Sequence, residues 1–166
     1  DNSNVAFSDP FYSMELITEI LSGGGSSRLF QALVKEKKLF SNISCHHFGS
    51  FDAGLLSIEG KLVKGVKMKE AESAVMTEVN KLVQEGISEK ELQKVKNKTE
   101  SMLAFEDMSL MNRATNLAIY ELLGDGNLIN EELDRFQEVT ASDIQQEAAT
   151  IFNDKNCNTL YYYSNN

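Results

Sequence analysis

The first residues with chemistry to offer are two adjacent histidines, His46 and His47, two cysteines, Cys45 and Cys157, and a glycine-rich segment at Gly23-Gly24-Gly25. A hydrolytic zinc site needs about three protein ligands with a carboxylate base nearby, and two of the ligands are usually histidines on one helical face. His46 and His47 lie instead in a strand-like run, where neighbouring side chains point to opposite faces of a sheet. They cannot hold one ion together without a bulge. Cys45 and His47 do share a face, and Cys157 could approach them as a third ligand, but a partly exposed strand histidine is the simpler account. Each cysteine adjoins a strand-like run, which fits buried thiols at least as well as a disulfide.

The second candidate is Ser22 to Ser41, SGGGSSRLFQALVKEKKLFS. Glycines before a helix start can hold an anion, since free amides and the helix dipole converge there and Arg28 is one turn away. The segment lacks the lysine and spacing of a phosphate-binding loop and the spacing of a dinucleotide fingerprint. It is therefore either a tight helix-to-helix corner with serine caps or a loop that a ligand approaches closely. No Gly-x-Ser-x-Gly elbow occurs, and serines near the histidines do not make a triad, so catalysis by this chain alone is not expected. Lys35, Lys37 and Lys38 read as a solvated helix end suited to the dipole, with an acidic partner as the alternative. Met102, Met108 and Met111 belong to the core or to a partner surface.

The elements that position these residues follow from periodicity. Asp9-Pro10 predicts a helix start, with the carboxylate capping free amides, and Tyr12, Leu16, Ile17, Ile20 and Leu21 form its buried stripe as far as Gly23. Ser26 or Ser27 caps a second helix through Leu29, Phe30, Leu33 and Val34. The period then shifts to two in Ile43 to Phe48 and Leu55 to Leu62, predicting a hairpin with a longish loop at Gly49 to Gly54. Helical spacing returns from Val66 to Gly86, and a Ser88-Glu89-Lys90-Glu91 capping box opens another helix. Its stripe resumes from Leu110 to Ala118, with continuity through residues 106–109 left open, until Gly124-Asp125-Gly126 makes a turn. A short helix over Leu128 to Phe136, a capped helix from Thr140 and a strand over Thr159 to Tyr163 close the chain. Segregated helices and strands predict an α+β domain, a mainly antiparallel sheet packed against several helices.

The length of 166 residues suits one domain over 1–166, with no repeat or linker to divide it. A net charge of -9 argues against nucleic acid, whose binders neutralise phosphates with lysine and arginine, while neutral or basic peptides remain allowed. No apolar run is long enough to cross a bilayer, so membrane insertion is not expected. The opening DNSNVAFSDP carries neither an initiator methionine nor a basic-then-apolar signal pattern, which gives the expectation of a mature product or, preferred here, of a piece cut from a longer protein.

Gly23-Gly24-Gly25-Ser26-Ser27-Arg28-Leu29-Phe30, with Leu33, Glu36 and Leu39 behind it, resembles the glycine-rich turn and helix in the C-terminal-type domain of the pitrilysin-like zinc metallopeptidases. That superfamily includes insulysin, bacterial zinc proteases and the mitochondrial processing peptidase. The likeness extends to Ser8-Asp9-Pro10, the hairpin, Gly86 to Leu92, Asn112-Arg113-Ala114, Leu122 to Asp125, and Phe136 to Thr140 with Asp143-Ile144. It implies a LuxS/MPP-like α+β fold used in pairs that clamp a peptide chamber. The family's inverted His-x-x-Glu-His zinc motif is missing from this sequence. The resemblance therefore implies a non-catalytic, substrate-enclosing domain of a zinc metalloendopeptidase. Zinc would sit in a catalytic domain supplied in cis or in trans, and a peptide would be the substrate. The alternative is a protease-inactive structural or assembly subunit. Active members commonly carry an arginine on the helix after the glycine turn and a tyrosine seven residues later; alignment on Ser27-Arg28-Leu29 puts Val34 and Ser41 there. Valine offers no bidentate charge and serine lacks the phenol's reach. The same resemblance makes Gly23, Gly24, Gly25, Ser26, Ser27 and Arg28 the candidate substrate-binding loop. Bacterial relatives often work in the cell envelope, which is the expectation for this chain.

Overall fold

The computed structural model describes residues 8–49 and 54–163. Helix α1 spans Asp9–Ser22 and lies at the centre, with Met14, Leu16, Ile17 and Leu21 fully buried. The predicted stripe is thus borne out, and its burial is what the other elements collect around. A π-wound helix, Phe30–Glu36, follows the glycine turn, and strands β1 (Phe40–Phe48) and β2 (Leu55–Leu62) form an antiparallel hairpin. Cys45 pairs with Ile58, His47 with Leu56 and Phe48 with Leu55, while an irregularity between Phe40 and Asn42 shifts the register. Residues 50–53 of the predicted hairpin loop lie outside the described residues.

The Ser22 hydroxyl ties the end of α1 to the middle of β1. It accepts from the Cys45 amide at 2.8 Å and donates to the Cys45 carbonyl at 3.1 Å. Long helices α2 (Met68–Glu85) and α3 (Glu89–Glu106) come next, the second opened by the Ser88 hydroxyl accepting from the Glu91 amide. The open question at residues 106–109 resolves as a break: α3 ends at Glu106, and Ser109 caps α4 (Leu110–Leu122). A 3-10 turn (Gly126–Asn130), α5 (Glu132–Glu138) and α6 (Ala141–Ile151) complete the helical layer. The Thr140–Asp143 capping box forms as its spacing predicts. α6 packs on α1 through Ile144 and Ala148, both fully buried.

Three sequence expectations are corrected. Thr159 to Tyr163 is not a strand; the described sheet has two strands, and the Thr159 and Tyr161 hydroxyls donate to the Glu72 carboxylate of α2 at 2.7 and 2.5 Å. Strand-favouring side chains express a fit to a pleated, half-buried surface, and here side-chain hydrogen bonds to a helix replace it. Those two bonds hold the Glu72 carboxyl below its usual range. Asp9 does not cap α1; it occupies the first helical turn and pairs with Arg135 at 3.2 Å. Cys157 is exposed, while Cys45 alone is buried, and both are free thiols.

Candidate functional site

The glycine turn leaves α1 through Gly23, whose amide closes on the Glu19 carbonyl at 2.8 Å. Gly24 sits at φ 105°, a left-handed conformation that L side chains rarely adopt, and the chain then returns toward the protein. Ser27 fastens the return: its amide and hydroxyl both donate to the Gly24 carbonyl, at 3.1 and 2.7 Å, and its side chain is buried. Gln31 adds a hydrogen bond to the Gly25 carbonyl.

Helix α3 holds both ends of the turn from outside. Lys98 donates to the Gly23 carbonyl at 2.7 Å and pairs with Glu19, and Lys94 reaches the Ser26 carbonyl and hydroxyl at 3.4 and 3.3 Å. Arg28, the expected ligand-facing cation, points the other way. Its guanidinium grips the Glu91 carboxylate in a fork at 2.9 and 2.7 Å and donates to the Gly86 carbonyl at 2.9 Å. A bidentate charge-assisted pair of this kind fixes geometry. Arg28 is therefore a clamp between the turn and the α2–α3 junction.

Between these anchors the tip stays open. Gly24, Gly25 and Ser26 are exposed, and a Cβ added at Gly24 or Gly25 would meet no atom within 4 Å. The candidate loop thus divides into fixed flanks, made by Gly23, Ser27 and Arg28, and an exposed rim at Gly24, Gly25 and Ser26, bare at the two glycines and held by Lys94 at Ser26.

Val34 and Ser41 stand apart from the rim. Val34 lies in the π-wound helix, half-buried and packed against the core, and the exposed Ser41 donates to the Lys61 carbonyl across the hairpin at 3.0 Å. The wide winding appears in the amide bond from Lys37 to the Ala32 carbonyl, five residues back, and beyond the helix end the Leu39 amide closes on the Leu33 carbonyl. Lys38, at φ 52°, completes the exit into β1. Of the lysine cluster, Lys37 pairs with the buried Glu78 at 3.1 Å, and Lys81 pairs with it at 3.0 Å. Burial pushes the Glu78 carboxyl up, but hydrogen bonds from Lys81 and Lys37 outweigh it and hold it below the usual range.

His46 and His47 take opposite faces of β1, as strand geometry requires: His46 is exposed, and the His47 ring is enclosed. His47 Nδ1 lies 2.8 Å from a Glu15 carboxylate oxygen, and the Phe11 ring packs 5.4 Å from its ring. Burial raises the Cys45 thiol to about 12, with the Glu15 charge adding to it. Among the described residues no group of three His, Cys, Asp or Glu side chains is placed to hold a metal ion.

Two further features were not singled out from sequence. A cavity of about 370 Å³ opens between the start of α1 and the α5–α6 junction, and an apolar groove of about 380 Å³ lies between the hairpin face, α2 and residues 156–161. Both depend on long-range packing, which periodicity cannot reveal. Phe105, Met108, Leu110 and Met111 are also exposed at the α3–α4 corner. Met102, Met108 and Met111 thus fall on the surface side of the two alternatives read from sequence.

Solved structures fix the class of the fold. The chain superimposes with a TM-score of 0.81 on a protease from Helicobacter pylori at 22% identity, covering 90% of this chain and 36% of that one. An inactive peptidase domain from Bordetella parapertussis matches with a TM-score of 0.80 at 22% identity, covering 92% of this chain and 82% of that one. The class is an α+β domain of the kind found in bacterial proteases. Residues 10–99, more than half of the sequence, match the peptidase M16 inactive domain, and the chain belongs to that family. It is also 24% identical over 142 residues to the uncharacterized zinc protease YmxG of Bacillus subtilis, covering 85% of this chain. The chain spans only 34% of YmxG.

Proposed function

We propose that this chain is one non-catalytic domain, residues 1–166, of a longer zinc-dependent metalloendopeptidase, and that it helps enclose and position peptide substrates. The zinc belongs to a catalytic domain joined in cis or supplied in trans. Membership of the inactive-domain family and the partial coverage of YmxG support this division of labour.

The observation that carries the peptide-enclosing role is the turn at Gly24 to Ser26. Its flanks are pinned by Arg28, Lys94 and Lys98, so ligand binding need not first order the loop, and Gly24 and Gly25 carry no side chain that would keep a peptide backbone away. Val34 and Ser41 supply neither a guanidinium nor a phenol, which leaves positioning rather than transition-state assistance as the contribution. Binding of a fluorescent unfolded peptide to the assembled protease, with and without this domain, tests the role. Equal affinity in the two preparations overturns it.

A second reading is a protease-inactive assembly subunit. The apolar α3–α4 corner favours it, because large apolar side chains clustered on a surface mark interaction sites. A stable complex with the zinc-bearing partner that captures no unfolded peptide would select this alternative.

A further inference from the structure

The hairpin is too narrow a sheet for the helix it covers. Among the described residues β1 and β2 pair only with each other, so each strand keeps one edge without a strand partner. A two-stranded hairpin is marginal in water on its own, and an open edge is a template for a further strand. The apolar groove of about 380 Å³ marks where cover is missing. Met68, Val75 and Met76 of α2 line it and stay half-buried, as do Leu56, Ile58 and Leu62 at even-numbered positions of β2. Alternate residues face one side of a sheet, so a strand added beside the hairpin would carry this apolar face onward over α2.

Residues 157–161 form a second wall of the groove, and their own backbone is unspent. Cys157 leaves the last 3-10 turn, Asp154–Asn156, extended at φ −120° and ψ 133°, and residues 157–163 make no backbone–backbone hydrogen bond among the described residues. The segment is nevertheless fixed, because the Thr159 and Tyr161 hydroxyls bind the Glu72 carboxylate. Two backbones with unused donors and acceptors thus border one apolar groove. Among the described residues that line it Glu72 alone is charged, in a chain where 25% of residues are, and its carboxylate is already taken by those hydroxyls. The matching occupant is therefore an extended segment, uncharged on its inward face, that offers main-chain hydrogen bonds. A second copy of this chain is a poor source, since its two described strands are already paired and it carries a charge of -9. The longer protease has chain to spare: residues 1–166 span only 34% of YmxG and 36% of the Helicobacter pylori protease.

We infer that the groove receives a β-strand of the protease from outside residues 1–166, apolar at alternate positions, which pairs with the hairpin edge and with residues 157–161 and widens the sheet over α2. The inference rests on the reading of this chain as part of a longer protease, but not on the glycine turn facing peptide. Amide hydrogen exchange tests it, comparing this chain with the assembled protease in the absence of added peptide. Residues 158–161 should exchange at least tenfold more slowly in the assembly. Equal exchange overturns the inference, and protection that appears only when an unfolded peptide is added overturns it in favour of substrate. Slow exchange in an assembly that captures no peptide leaves the strand in place and rejects the peptide-enclosing role alone. A backbone-amide NMR titration of this chain supplies a second readout, with an acetylated heptapeptide alternating valine and threonine between terminal lysines as the strand probe. The probe should give saturable shifts at Ile58, Val75 and Leu160 and none at Gly24 and Gly25. Its fully N-methylated counterpart should bind at least tenfold more weakly, and Leu160→Lys, at a position 91% exposed that does not threaten folding, should weaken the probe about threefold. Absence of saturable shifts, or equal binding of the N-methylated probe, overturns the inference.

Discussion

Leucine placed at Gly25 and, separately, at Gly24 puts the same side chain on the same bare rim at very different conformational cost. Gly24 holds φ at 105°, outside even the small left-handed region open to other residues, so Gly24→Leu should lose about 1–3 kcal/mol of stability. For a chain of this size that lowers the melting temperature by roughly 2–12 °C. Gly25 is not among the positive-φ glycines and has no atom within 4 Å of a built Cβ, so Gly25→Leu should stay within about 0.5 kcal/mol of wild type. Thermal unfolding followed by circular dichroism measures both. Fluorescence anisotropy of a labelled unfolded peptide on the assembled protease then measures capture. If the rim faces peptide, both variants should weaken capture about tenfold, equivalent to ~1.4 kcal/mol, although only one is destabilised. Capture left intact by Gly25→Leu refutes the peptide-facing rim and makes the turn a helix corner only.

The remaining predictions concern the clamp and the thiols. Arg28→Ala should cost about 2–3 kcal/mol in urea unfolding, between exposed and fully buried pairs, because both side chains are 22% exposed. A double-mutant cycle with Glu91→Gln should show about 1–2 kcal/mol of coupling; additive losses would mean that the fork contributes nothing. Iodoacetamide at pH 8 should modify Cys157 and spare Cys45, which mass spectrometry of the folded protein reads directly; rapid labelling of Cys45 contradicts its burial. Cys45 is held near 12 in the fold against about 8.5 when unfolded, so its contribution is complete below about pH 8.5 and is lost as pH rises toward 12. Between pH 9.5 and 11 the Cys45→Ala variant should therefore lose stability less steeply, by up to ~1.4 kcal/mol per pH unit; parallel profiles would refute this.

Local chemistry was legible in the sequence where a few adjacent residues decide the outcome. The α1 stripe, the Ser88 and Thr140 caps and the opposite faces of His46 and His47 all appear as their spacing dictates. The hairpin was also legible, although β1 begins at Phe40, ahead of the clear alternation at Ile43. What the sequence hid depends on partners far along the chain. The guanidinium of Arg28 finds a carboxylate 63 residues away, and nothing in the glycine turn announces it. The π winding over Phe30–Glu36, beside the buried Leu29 and Leu33, was hidden too, since ordinary helical spacing describes that segment almost as well. Thr159 to Tyr163 misled because tyrosines suit both a strand and a helix surface offering a carboxylate such as Glu72. The cavity beside the start of α1 needs α1, α5 and α6 together, and no local pattern announces it.

The most direct test of the non-catalytic, substrate-enclosing role is peptide cleavage by the zinc-bearing partner domain, titrated with this chain. The partner alone should cleave slowly, and kcat/KM should rise about tenfold or more to a plateau as the chain is added, while the chain alone cleaves nothing. A partner that is fully active alone, or cleavage by this chain with about one equivalent of bound zinc, would contradict the account.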